Sequence, residues 1–294
     1  MRRDVSALAQ QQEVHDSTVI VLPTTPVRDQ GTTNACWIYA MLACIETDRM
    51  ANYNDSVGLS AEWLILKNRE EMERHYRLTR KETLRGWLRQ HLSSNSLPIR
   101  EGQGGSSRGL GPDALRLIRL YGLIPDKTRP GADDGFYLYS MHYTPQQFAG
   151  SVYQEGDWQW FTSVEHHEYN RLCCLEVPDN THYNEFMNVS RDSLLALAVN
   201  SLSDNHPVFW EGAMADVNNG TCRGKFADPI LRDDHAMAIV GMRFDKHGQP
   251  AFLVKNSWGK EWGNHGYCTM TAQEFLDRTL IIGVRKDPAT TQPL

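Results

Sequence analysis

The chain lacks any long apolar run. Nothing in its 294 residues approaches the roughly 18 consecutive apolar residues that cross a bilayer, so a membrane-spanning helix and a membrane partner are not expected. It also lacks a block of lysine and arginine interleaved with aromatics. With a net charge of -6, this argues against a nucleic-acid partner. The first residues, Met-Arg-Arg-Asp-Val, lack the apolar core of a signal peptide, so a cytoplasmic protein is expected. Export is the alternative, because Ala7-Leu8-Ala9 has the form of a signal-peptidase site without its preceding segment. No CxxC pair occurs among the six cysteines, which disfavours a structural zinc site, and their spacing forms no disulfide framework. Mostly reduced, buried thiols follow. No internal repeat or low-complexity tract is visible, and His166-His167 lack the further ligands of a metal site, so no metal or cofactor is expected.

What is present is an ordinary globular composition: 40% apolar, 22% charged and 10% aromatic residues. Residues 1–18 read as a polar arm and residues 19–294 as one domain. Val19 to Leu22 reads as a short strand closed by Pro23 and Pro26. A helix follows Cys36 to about Ala51, and a second starts at Ser60 as N-cap and runs to about Tyr76. A third is expected over Lys81 to Leu92. Five glycines between Glu101 and Gly111 mark a loop. Pro112 then opens a helix that Gly122 closes. Short helices follow at Thr144 and over Ser193 to Leu202. From Pro207 the character changes to strands, at Val208 to Trp210, Ala236 to Val240, Ala251 to Lys255, Gly266 to Met270 and Thr279 to Arg285. Asp245-Lys-His-Gly links two of them as a hairpin. Helices first and antiparallel strands last predict an α+β fold of two lobes. About 27–205 forms a mainly helical lobe. About 206–286 forms a β-sheet or barrel lobe, to which residues 19–26 cross.

The chemistry centres on Gln30-Gly-Thr-Thr-Asn-Ala-Cys36-Trp37, where a polar segment becomes an apolar helix. A thiol at a helix N-terminus feels the positive end of the dipole, which favours the thiolate. The Gln30 amide is placed to donate to an oxyanion. A thiol nucleophile needs a base and the base an orienting partner. Among eleven histidines, His235 stands at the mouth of an apolar strand, and the next strand ends at Asn256-Ser257-Trp258. If the hairpin pairs these strands, the Asn256 carbonyl can accept the proton of His235 Nδ1 and leave Nε2 facing Cys36. Trp258 covers that bond. Cys36 and His235 then form a thiolate–imidazolium pair. Gly105-Ser-Ser-Arg-Gly109 matches a G-x-S-x-G nucleophile elbow only on paper, since polar Arg100 to Gln103, not a strand, precedes it.

These motifs together resemble the papain-like cysteine peptidases: Gln30-Gly31 with Cys36-Trp37, Gly104-Gly105, Asp234-His235-Ala236 and Asn256-Ser257-Trp258-Gly259, in that family's order. Leu59-Ser60, the run Ala114 to Pro125, Tyr143 to Phe148, and Gly266-Tyr267 with Met270-Thr271 are similar to the bleomycin hydrolase and aminopeptidase C branch. The resemblance implies a two-lobe papain-like fold with its cleft between the lobes. It implies Cys36 as nucleophile, His235 as base then acid, Asn256 as orienter, and Gln30 with the Cys36 N–H as oxyanion hole. Gly104, Gly105, Asp234 and Trp258 are implied to bind substrate, which would be a peptide or protein. Thr33 stands where papain has a disulfide cysteine, so that bridge is absent. The stretch from Pro125 to Tyr143 is too short for the branch's helical insertion, and residues 286–294 leave at most a short C-terminal arm. Neither the branch's hexamer nor its restriction to free N-termini is therefore expected, and aminopeptidase and endopeptidase modes stay open. An acyl transferase using the same thiol and an inactive papain-like binding module are the rivals.

Overall fold

A computed structural model describes residues 19–74, 108–131, 134–153, 156–177, 179–180, 182–214, 217–218, 221–222 and 235–286. The expected helix over Lys81 to Leu92, the arm at residues 1–18, and Gly104, Gly105 and Asp234 lie outside these residues.

The first strand, β1 (Val19–Val21), is followed by α1 (Cys36–Tyr53), α2 (residues 61–74) and α3 (Gly111–Tyr121). A hairpin of β2 (Phe136–Leu138) and β3 (Met141–Tyr143) leads to α4 (Pro145–Val152). Then come β4 (Trp158–Thr162), β5 (Arg171–Cys174), β6 (Glu185–Asn188) and α5 (Arg191–Ser203). The chain continues through β7 (Val208–Gly212), β8 (Val217–Asn218), β9 (Thr221–Cys222), β10 (His235–Phe244), β11 (Pro250–Lys255), β12 (Tyr267–Thr271), α6 (Ala272–Arg278) and β13 (Thr279–Arg285).

The α+β expectation holds, as one large sheet and helices on both of its faces. The sheet runs β5-β6-β4-β13-β7-β10-β11-β12-β9-β8, with β1 added alongside β10. Among the described residues this path is open and does not close into a barrel. It is also mixed: β4 with β6 and β12 with β9 pair in parallel, the other neighbours antiparallel. Residues 136–188, expected within the helical lobe, contribute five strands and one helix. The three that join the large sheet are at most five residues long, too short for their periodicity to stand out.

Alternation along β10, shifted by one residue at a bulge between Ile239 and Gly241, explains the layering. Ala236, Ala238 and Val240 face a cluster formed with α1, α2 and α3, including Ile38, Leu42, Leu64 and Leu117. Met237, Ile239 and Met242 face the opposite cluster, with Leu194, Ala198 and Leu202 of α5 and Phe275 of α6. Small alanines on the first face let α1 lie directly across β10. Nearly every residue of α1 from Trp37 to Asp48 is buried, as befits a helix that is apolar around most of its circumference. Its dense packing makes the position of its first residue, Cys36, a property of the whole core.

Candidate active site

α1 begins differently from the other helices. Its N-cap is Ala35, with no side-chain cap and no acidic residue in the first turn. By contrast, Thr144 and Gln147 cap α4 reciprocally, Thr271 and Glu274 do the same for α6, and Ser190 caps α5. The undiluted positive end of α1 therefore sits at the half-buried Cys36 thiol. Cys36, Cys44, Cys173, Cys174 and Cys268 are not joined in disulfides.

Cys36, Gln30, His235 and Trp258 line one cleft of about 250 Å³. Asn256 stands behind His235. The β10–β11 hairpin delivers this: Ala238 pairs with Lys255, so the start of β10 meets the residues just past β11. Asn256 Oδ1 lies 2.6 Å from His235 Nε2 and also accepts from the Ser257 N–H at 2.7 Å. Because that oxygen already accepts from a backbone N–H, it can only accept from the imidazole too. Nε2 therefore carries the proton and Nδ1 the lone pair. This corrects the expectation that Nδ1 would meet Asn256; the ring is presented by its other edge. Asn256 Nδ2 is buried and has no hydrogen-bond partner among the described residues.

Trp258 lies over the imidazole, its ring centroid 4.3 Å away and tilted by 33°. Trp262 meets Trp258 edge-on. His235 is 3% exposed, and burial pushes its pKa down to about 4, opposed by its bond to Asn256. A charged imidazole in this position thus depends on an adjacent anion, and Cys36, in the same cleft, can supply one as its thiolate.

Gln30 is held from both ends. Ser257 Oγ donates to its Oε1 at 2.7 Å, and its Nε2 donates to Thr33 O at 2.6 Å. Its own N–H donates to Ser257 O. The turn that carries it uses Gly31 at φ +58, with the Gly31 N–H donating to Asp29 Oδ1. One Nε2 hydrogen remains for the cleft beyond the one given to Thr33.

Several supporting residues escaped the sequence reading. Glu46, on α1, takes hydrogen bonds from Arg28, Thr25 and the Leu59 N–H. Lys255 Nζ donates to Thr25 O at 2.7 Å and to Thr25 Oγ1 at 3.1 Å. Burial lowers its pKa to about 8, with Glu46 acting to raise it. This buried network joins α1, the segment before Gln30 and the strand before Asn256. Across the cleft, Arg108, Asp179 and Glu211 also line the wall. No local pattern marks these residues, since their partners are distant in sequence.

The sequence profile of the papain family cysteine proteases matches residues 129–281, just over half of the chain. The chain belongs to the papain family of cysteine proteases. It is 24% identical over 247 residues to the thiol protease SEN102 of Hemerocallis sp., covering 84% of this chain and 51% of that protein. It is 27% identical over 181 residues to aminopeptidase W of Lactobacillus delbrueckii subsp. lactis, covering 52% and 41% respectively. The chain thus spans about half the length of the curated relatives it matches. Its fold is similar to the crystal structure of pepw from Lactobacillus rhamnosis, with a TM-score of 0.73 at 17% identity over 92% of this chain and 82% of that one. The proform of the ragweed pollen cysteine protease Amb a 11 aligns at a TM-score of 0.51 and 16% identity, over 95% and 67%. Among the described residues no helix is long and apolar enough to cross a membrane.

Proposed function

We propose that the protein is a cysteine peptidase that hydrolyses peptide bonds through a Cys36 acyl-enzyme. The observation that carries this reading is the convergence, in one cleft, of a thiol at an uncapped helix start with an Asn256-bonded imidazole and a locked glutamine amide. The Cys36 thiolate attacks the substrate carbonyl, and His235 takes the thiol proton at Nδ1. The oxyanion is met by the remaining Gln30 Nε2 hydrogen and by the N–H of Cys36. His235 then protonates the leaving amine, and water releases the acid. Asn256 holds the imidazole tautomer and Trp258 keeps water from its far side. The substrate is a peptide or protein. Relatives named as an aminopeptidase and as a thiol protease support the reaction class without separating removal of N-terminal residues from internal cleavage. Labelling by a thiol-directed epoxide inhibitor tests the reading, with Cys36→Ala as control. Rapid modification at Cys36 is expected at neutral pH. A rate no greater than that of a free thiol in solution would remove the activated pair and the proposal. Cleavage of matched peptides with free and blocked N-termini separates the two modes.

A further inference from the structure

A second, much smaller cavity of about 20 Å³ is lined by Asn256 together with Arg28, Tyr39, Ala43, Glu46 and Lys255. Asn256 Oδ1 is committed elsewhere, to His235 Nε2 at 2.6 Å and to the Ser257 N–H at 2.7 Å. Nδ2 is therefore the polar atom that Asn256 has left for this cavity. It is buried, with no hydrogen-bond partner among the described residues. The amide cannot be turned over to satisfy it, because Nδ2 would then meet the Ser257 N–H, donor against donor. A buried amide donor of this kind calls for an acceptor.

The other walls can hold one in place. Glu46 Oε2 accepts from Thr25 Oγ1 and, as a carboxylate oxygen, keeps a further lone pair. Lys255 Nζ donates to Thr25 O and Thr25 Oγ1, which leaves one of its ammonium hydrogens. The Tyr39 hydroxyl donates to Glu62 Oε1 at 3.3 Å and keeps its oxygen as an acceptor. The cavity thus brings together donors, on Asn256 and Lys255, and acceptors, on Glu46 and Tyr39. A water molecule accepts and donates in equal measure and matches that set. A cation is opposed by Asn256 Nδ2, Lys255 and Arg28, and an anion by Glu46. Size agrees: the cavity, about 20 Å³, exceeds the roughly 10–15 Å³ that one water needs.

We propose that this cavity binds one structural water, which takes the hydrogen bond of Asn256 Nδ2 and ties the amide that orients His235 to Glu46 on α1 and Lys255 on β11. Anchored at Nδ2 as well as at Oδ1, the amide resists the rotation that would swing Oδ1 away from the imidazole. The effect on the reaction rests on the cysteine peptidase reading above; the water site itself does not.

The first test is a crystal structure of the wild-type chain at a resolution that orders buried waters. A density peak is expected within about 3.2 Å of Asn256 Nδ2 and of at least one acceptor on Glu46 or Tyr39. A cavity without density, or an Nδ2 bonded directly to a protein atom, would overturn the proposal, and neither result needs a variant to fold. The second test uses Ala43, which lines the cavity from α1 and is only half-buried. Ala43→Val puts methyl groups where the water sits. Ala43→Ser offers a hydroxyl that can accept from Nδ2 in its place. Ala43→Val should lower kcat about tenfold with KM changed less than about twofold, while Ala43→Ser should keep at least about half of the wild-type kcat. Equal losses in the two variants would mean that crowding on α1, not the water, disturbs His235, and would overturn the link. A peak in the cavity beside a Cys36 that the epoxide fails to label would remove the peptidase reading and leave the water site standing.

Discussion

The start of α1 and the start of α6 are both helix N-termini, and they are built in opposite ways. α6 spends its first turn on itself: Glu274 N–H donates to Thr271 Oγ1 at 3.2 Å, and the Thr271 N–H donates to Glu274 Oε2 at 2.8 Å. α1 has an alanine at the same place and no side-chain cap. A side-chain cap contributes about 1 kcal/mol to stability. α1 forgoes that, and its stability comes from burial on β10 and β7 instead. The difference shows where the fold leaves a helix start without a capping side chain: at Cys36, where a negative charge has to form. Stability and chemistry should therefore separate cleanly between the two helix starts.

The largest expected effect comes from removing the thiol. Cys36→Ala should abolish peptide hydrolysis, a loss of about 10⁴-fold or more in kcat, since among the described residues no other thiol lines the cleft. Its stability in urea should stay within about 0.5 kcal/mol of the wild-type value, because the thiol is half-buried and the substitution removes only one sulfur atom. A variant that lost activity by unfolding would break the contrast. Gln30→Ala is next. Losing one preorganised donor to the oxyanion should lower kcat by roughly 10²–10³-fold with little change in KM. If KM rose instead while kcat held, Gln30 would be a ground-state contact.

Much of this frame was legible in the chain. The helices opening at Ser60, Gly111 and Thr144 carry start signals, α1 is marked by the apolar run that follows Cys36, and the strands from Val208 onward are apolar runs bounded by turns. The β10–β11 hairpin was readable from Asp245-Lys-His-Gly, and with it the meeting of His235 and Asn256. Which imidazole nitrogen faces Asn256 was not readable, because it depends on the ring's rotation and on the Ser257 N–H that fixes the amide. Strands β4 to β6 were missed because sheet membership was decided by β13, more than a hundred residues away. Glu211 was invisible for the same reason: its partner Gly111 and its strand neighbours are distant in sequence.

The burial of His235 predicts a pH effect. Burial lowers the His235 pKa from 6.5 to about 4, so the folded chain refuses a proton that the unfolded chain binds. Stability from this group is full above about 6.5 and is lost as pH falls toward 4. In the Cys36→Ala background, where no thiolate offsets the burial, urea midpoints should fall through that window. A His235→Gln partner variant should show a smaller fall. Equal slopes in the two backgrounds would place the titration elsewhere. Asn256→Asp puts a carboxylate against Nε2 and should move the His235 titration upward, read as a shift of the acid limb of the kcat/KM profile.

The smallest expected effect lies at the other helix start. Thr271→Ala removes the hydroxyl that accepts from the Glu274 N–H and leaves that donor to water, since Thr271 is exposed. The cost should be about 1 kcal/mol in urea unfolding, with kcat/KM unchanged because α6 lies on the sheet face away from α1. Thr271→Ser keeps the hydroxyl and should recover most of the loss.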